Sequence, residues 1–180
     1  MANYRRSRTA GGCFFFTLVT HQRQPILTHP DARRFLRAAI LETQNRHPFT
    51  IDAWVLLPDH LHAVWILPEK DSDFSKRWGL IKANFSKKAK SLFEKEELLN
   101  HSRIRQRESS IWQRRFWEHE IRDDDDYRRH LDYVHYNPVK HGLVKCVADW
   151  PHSTFHRYVT QGTYPDDWGG GIDFSGEFGE

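Results

Sequence analysis

A chain of 180 residues that is 38% apolar and 14% aromatic, with 7 Trp and 12 Phe, can bury one compact core and is too rich in bulky groups for a disordered polymer. No apolar run approaches the roughly 20 residues that span a bilayer, and Met1-Ala2-Asn3-Tyr4-Arg5-Arg6 begins no cleavable signal, so a cytoplasmic protein is expected. The formal charge of +3 is spread unevenly: +6 over residues 1–50, −3 over 51–69, +6 over 70–118 and −6 over 119–180. Two basic regions ahead of an acidic end fit a polyanion-binding surface joined to a cation-holding site, although an ordinary mixed-charge surface would look the same. Cys13 and Cys146 are too few for a disulfide framework or a four-thiolate zinc site and read as idle thiols, or at most one bridge.

In chain order, residues 13–20 are aromatic and β-branched after the Gly11-Gly12 turn, and predict a strand. Residues 31–46 place Phe35, Leu36, Ala39, Ile40 and Thr43 at helical spacing between Pro30 and Pro48. Two strands follow at 49–57 and 60–67, and the short Pro58-Asp59 connection implies an antiparallel hairpin. From Phe74 to about Glu97, Phe74, Trp78, Ile81, Phe85, Ala89 and Leu92 form the apolar stripe of a helix with a basic outer face. Residues 100–110 read as loop, and 111–119 as an extended element of open type. Asp123-Asp124-Asp125-Asp126 opens a helix that should end near Pro138. This order predicts an α+β fold, a ferredoxin-like antiparallel sheet with helices packed on it. Residues 1–168 read as a single domain with a basic N-terminal arm, and 169–180, opened by three glycines, as a flexible tail.

Alternation along a strand turns His60 and His62 to one side and Leu61 to the other, so two imidazoles can chelate one ion. Two histidines at that spacing also occur by chance, as satisfied or exposed residues. On the acidic-capped helix, Tyr133 and Asn137 lie four residues apart and share a face. If that face packs toward the His pair, Asn137 offers an oxygen ligand and Tyr133 a nucleophile for a phosphodiester; otherwise Tyr133 is a helix tyrosine bonded through its hydroxyl. Mixed nitrogen and oxygen ligation suits Mg²⁺ or Mn²⁺, with Zn²⁺ chemically possible. Tyr136 and Tyr127 are the competing tyrosines.

Several stretches, taken together and in order, resemble the REP-associated tyrosine transposases of the His-hydrophobic-His (HUH) endonuclease superfamily. They are Tyr4-Arg5-Arg6 with Gly11-Gly12, residues 51–62 ending in His60-Leu61-His62, residues 112–119, Asp132-Tyr133, residues 136–142 and Asp149-Trp150-Pro151. The resemblance implies that His60, His62 and Asn137 hold a divalent metal, Mg²⁺ or Mn²⁺, and that Tyr133 cuts single-stranded DNA beside a palindromic hairpin. The product is a 5′-phosphotyrosine linkage and a free 3′-hydroxyl that can later rejoin strands. It further implies a monomer rather than the helix-exchanged dimer of related insertion-sequence enzymes. Tyr4, Arg5, Arg6 and Arg8 in the arm, with Lys82, Lys87, Lys88, Arg114 and Arg115, are the expected DNA contacts. A hydrolytic metal nuclease and a non-cutting hairpin binder are the rival readings.

Overall fold

In the computed structural model, which describes residues 9–169, the chain enters β1 (Cys13–Val19) through a turn at Gly11. Its φ of +70° and the Glu69 backbone, 2.9 Å from where a Cβ would sit, leave room only for glycine. There follow α1 (Pro30–Arg46), β2 (Thr50–Leu56), β3 (His60–Ile66), α2 (Phe74–Phe93), α3 (His101–Arg105), β4 (Trp117–Glu120), α4 (Asp124–Lys140) and α5 (Phe155–Thr160). The strands form one antiparallel sheet in the order β2-β3-β1-β4, the expected ferredoxin-like α+β arrangement.

Strand alternation divides the buried side chains between two cores. Phe14, Phe16, Leu18, Leu61, Ala63 and Trp65 face α1 and α2, where Trp65 stacks on Trp78 at 3.9 Å between ring centres. Arg77, only 2% exposed, anchors α2: it donates to both carboxylate oxygens of Asp71 (3.0 and 2.7 Å) and to the carbonyls of His47, Pro48 and Asp73. On the opposite face Phe15, Ala53, Val55 and Val64 pack with Leu131, Tyr133 and Val134 of α4 and with Phe155, Tyr158 and Tyr164 from the C-terminal segment. Half-buried Trp168 closes this core against Tyr164 at 4.4 Å.

The elements depart from the sequence expectation at several points. Helix α2 stops at Phe93, and the expected loop at 100–110 contains α3, capped by Asn100 and tied down by buried Arg103, which donates to the carbonyls of Ser109 and Trp112. The open segment 111–119 resolves into a single bridge from Trp112 to Thr20 and then β4. Helix α4 runs past Pro138 to Lys140, because a proline in the last turn forfeits one backbone hydrogen bond without ending the coil. Tyr4, Arg5, Arg6 and Arg8, and the tail after Gly169, lie outside the described residues.

Candidate active site

The hairpin turn at Pro58-Asp59 is fixed by the end of β1. Thr20 donates both its backbone N–H (2.8 Å) and its hydroxyl (2.9 Å) to the Asp59 carbonyl, and Leu27 N–H donates to Pro58 (2.8 Å). His60 therefore opens β3 opposite Val19, and His62 follows opposite Thr17, both on the face that receives α4. The two rings are buried, with centres 5.1 Å apart and planes at 82°. Nδ1 of His60 donates to Asp59 (2.6 Å), and Nδ1 of His62 is hydrogen-bonded to the Thr17 hydroxyl (2.8 Å). Each ring is thus oriented through Nδ1, and Nε2 is the nitrogen it would offer an ion, the usual outer-shell arrangement of metal-binding histidines. Burial pushes the Asp59 carboxyl up, but the hydrogen bonds and positive charge of His60 and Arg23 outweigh it and hold it at about 2.

Helix α4 begins at Asp123, whose carboxylate accepts from Asp126 N–H (2.8 Å), and it carries the expected residues onto the His face. Tyr133, 1% exposed, sets its ring edge-on to His62 at 5.2 Å. Lys140, two turns further on, donates to the Tyr133 hydroxyl (2.9 Å) with its ammonium 4.7 Å from the ring centre. Asn137 is fully buried one turn beyond Tyr133. His141, the residue that ends α4, brings its ring to 4.9 Å from His60. Lys140 and His141 were absent from the sequence-derived site; the Lys-His pair after Pro138 marks both, but only the packed helix end shows what they touch.

The competing tyrosines have other surroundings. Tyr127 donates to the Asp52 carboxylate and meets the Tyr158 hydroxyl at 3.1 Å. Burial, then the Asp52 hydrogen bond, push its phenol far above the ordinary tyrosine range, away from the phenolate form. Tyr136 packs at the margin of the second core beside Val147 and Gly169. The cysteines form no bridge.

A second histidine-carboxylate group, unforeseen in the sequence, lies at the start of α4. His119 Nε2 donates to Asp126 (2.7 Å), and His130 Nδ1 donates to the Asp126 carbonyl (2.8 Å). Together they could offer three ligands to a metal. The imidazoles stack at 4.5 Å with only 16° between planes, however, so their in-plane lone pairs do not converge. The group instead clamps α4 to β4. Burial acts to raise the Asp126 carboxyl, but the His119 hydrogen bond and the Arg122 N–H bring it below its usual value.

Of the expected DNA contacts, Lys87, Lys88, Arg114 and Arg115 are exposed. Lys82 turns inward to the carbonyls of Gln113 and Arg114, and Arg114 pairs with Glu108 at 2.7 Å. Of these, Lys82, Lys87 and Arg114 line a groove between α2 and α3 that Ile104 and Trp112 also border, while Lys88 and Arg115 lie outside it.

Residues 14–137, from β1 to the buried asparagine of α4, match the family model for IS200-like transposases. The chain belongs to that family, in its REP-associated tyrosine branch. It is 48% identical over 177 residues to the REP-associated tyrosine transposase of Escherichia coli K12, covering 97% of this chain and 96% of that one. A solved REP-associated tyrosine transposase bound to a REP hairpin superposes with a TM-score of 0.82 at 47% identity, covering 100% of this chain and 98% of the other. In this IS200-like transposase no helix among the described residues is long and apolar enough to cross a membrane.

Proposed function

We propose that the protein nicks and rejoins single-stranded DNA at the foot of a REP-like hairpin through a covalent bond to Tyr133. The observation that carries this reading is the Tyr133 hydroxyl, held by Lys140 at 2.9 Å on a ring that meets His62, one of the histidine pair, edge-on. The phenol oxygen attacks phosphorus, the bond from phosphorus to the 3′ oxygen breaks, and the phenol proton passes through solvent to that oxygen. A 5′-phosphotyrosine and a 3′-hydroxyl result, and attack by a 3′-hydroxyl on the linkage returns the phenol. One ester replaces another, so no nucleotide cofactor is needed. Tyrosine is a weak nucleophile at its ordinary pKa of ~10, and an ammonium bonded to its oxygen favours the phenolate.

His60, His62 and Asn137 suit a divalent cation, because both histidines are oriented through Nδ1 and the asparagine is buried on the tyrosine face. Such an ion, Mg²⁺ or Mn²⁺, would draw charge from the phosphate oxygens. The arm residues Tyr4, Arg5, Arg6 and Arg8, with Lys82, Lys87, Lys88, Arg114 and Arg115, are proposed to hold the strand, and a monomer to carry the complete site.

The test is a denaturing gel of protein incubated with labelled hairpin DNA, with and without Mn²⁺. A metal-dependent, protein-linked band is expected. Cut DNA without a linked band would establish hydrolysis instead, and binding without cutting a recognition protein.

A further inference from the structure

We infer that the groove along the outer edge of β2 holds the single strand flanking the hairpin, with an unpaired base stacked on Trp54 and phosphates met by Arg33, Arg37 and Arg157. The inference deepens the proposed reading of the chain as a hairpin-nicking enzyme and rests on it.

The groove, of about 460 Å³, lies between α1, β2 and residues 151–157. It is distinct from the groove between α2 and α3, and none of the residues expected from the sequence to touch DNA lines it. Helix α1 brings Leu36, Ile40 and the 51% exposed Leu41, and β2 brings half-buried Trp54. No Asp or Glu lines it, whereas Glu94 and Glu108 line the other groove. Arg33 and Arg37, one helical turn apart, are exposed and enter no ion pair among the described residues, while their neighbour Arg34 is bound to Asp31 at 2.7 Å. Exposed Arg157 of α5 is held over the Tyr158 ring at 5.2 Å and donates to the Asp52 carbonyl.

An accessible indole among uncompensated guanidiniums suits a ligand that is both anionic and flat. A duplex offers it phosphates but keeps its base faces stacked, whereas a single strand offers both. A peptide fits less well, because the backbone edge it would pair with is already taken. Trp54 N–H donates to the Thr154 hydroxyl (2.9 Å), Thr154 N–H to the Trp54 carbonyl (2.9 Å) and Leu56 N–H to the His152 carbonyl (2.8 Å). The groove therefore recognises its occupant through side chains. It is also continuous with the candidate active site: Leu56 borders it, and the next residue, Leu57, donates to the His60 carbonyl (2.9 Å) to close the β2–β3 hairpin. From Leu56 to Ile51 the strand runs about 17 Å, enough for a few nucleotides beside the hairpin foot. The arginines of α1 thereby give a role to the part of the basic N-terminal region that lies outside the arm.

Fluorescence anisotropy tests this on the full chain carrying Tyr133→Phe, without divalent metal, so that affinity is separated from cutting. A bare hairpin is compared with the same hairpin bearing a 5′ or a 3′ single-stranded flank. One flank should tighten binding on the order of tenfold, and Trp54→Leu should abolish most of that gain while Trp54→Phe keeps part of it. The paired change Arg33→Gln with Arg37→Gln, at exposed positions that leave the melting temperature in place, should lower the slope of log affinity against log salt for the flanked DNA by about 1.4. Iododeoxyuridine in that flank should crosslink to Trp54 on irradiation. A flank that adds no affinity, or a gain and a salt slope unchanged in both the Trp54→Leu and the arginine variants, would overturn the inference, leave the hairpin reading standing and return the groove to a protein partner. Failure to bind even the bare hairpin would overturn the proposed function as well.

Discussion

The Tyr133 hydroxyl accepts from the Lys140 ammonium, and its ring lies edge-on to His62. Tyr133→Phe removes one oxygen and no charge, so the protein-linked DNA band should vanish while hairpin binding, read by gel shift, stays within about twofold. Lys140→Met removes the charged donor that favours the phenolate. The single-turnover cleavage rate should fall by about 10² to 10³ at unchanged binding, and Lys140→Arg should recover part of it. Wild-type cleavage by Lys140→Met would reduce that ammonium to a packing role. That His60 and His62 share one strand face and Tyr133 and Asn137 one helix face was legible in the sequence, because periodicity decides it; that the two faces meet depends on tertiary packing and was not. The Lys140 contact was not, since it depends on how a flexible side chain folds back over two helical turns.

Helices are held to this sheet by buried polar anchors as much as by apolar stripes. Asp126 accepts from His119 and from Arg122 N–H, so Asp126→Ala should cost about 1–3 kcal/mol in chemical denaturation and loosen α4. On the other face, hydrogen bonds from Arg77 and the Asp73 N–H lower the Asp71 carboxyl from 3.8 to about 2. A carboxyl lowered by folding contributes stability that is complete above 3.8 and is lost as pH falls through about 2. The stability gap between wild type and Asp71→Asn should therefore be constant near neutrality and close between pH 4 and 2, as urea midpoints would show. Strands β1 to β3 and helices α1, α2 and α4 were readable from alternation, stripes and caps. Strand β4 was not, because Trp112 to His119 mixes aromatics and arginines without a period and takes its conformation from pairing with β1. Helix α3, at 5 residues, is too short for a repeat and owes its place to Arg103.

Charge is a property of the whole molecule here, since a net +3 conceals two basic regions and an acidic end. If the basic regions hold the strand, hairpin affinity should fall roughly a hundredfold between about 50 and 200 mM salt, and a flat response in fluorescence anisotropy would remove them from the interface. The sheet also separates two tasks. The face against α1 and α2 is mostly apolar, with Trp65, Trp78 and five buried phenylalanines, while the opposite face buries His60, His62, His130, His135 and Asn137. Trp78→Ala should cost about 3–5 kcal/mol yet leave Mn²⁺ affinity unchanged below its lowered melting temperature. Polar groups that would unsettle a single shared core are tolerable when a second, independent one supplies the cohesion. Substitutions on the polar side of the sheet can thus accumulate while foldability is inherited from the other, which gives such a family room to diverge on one face without rebuilding its fold.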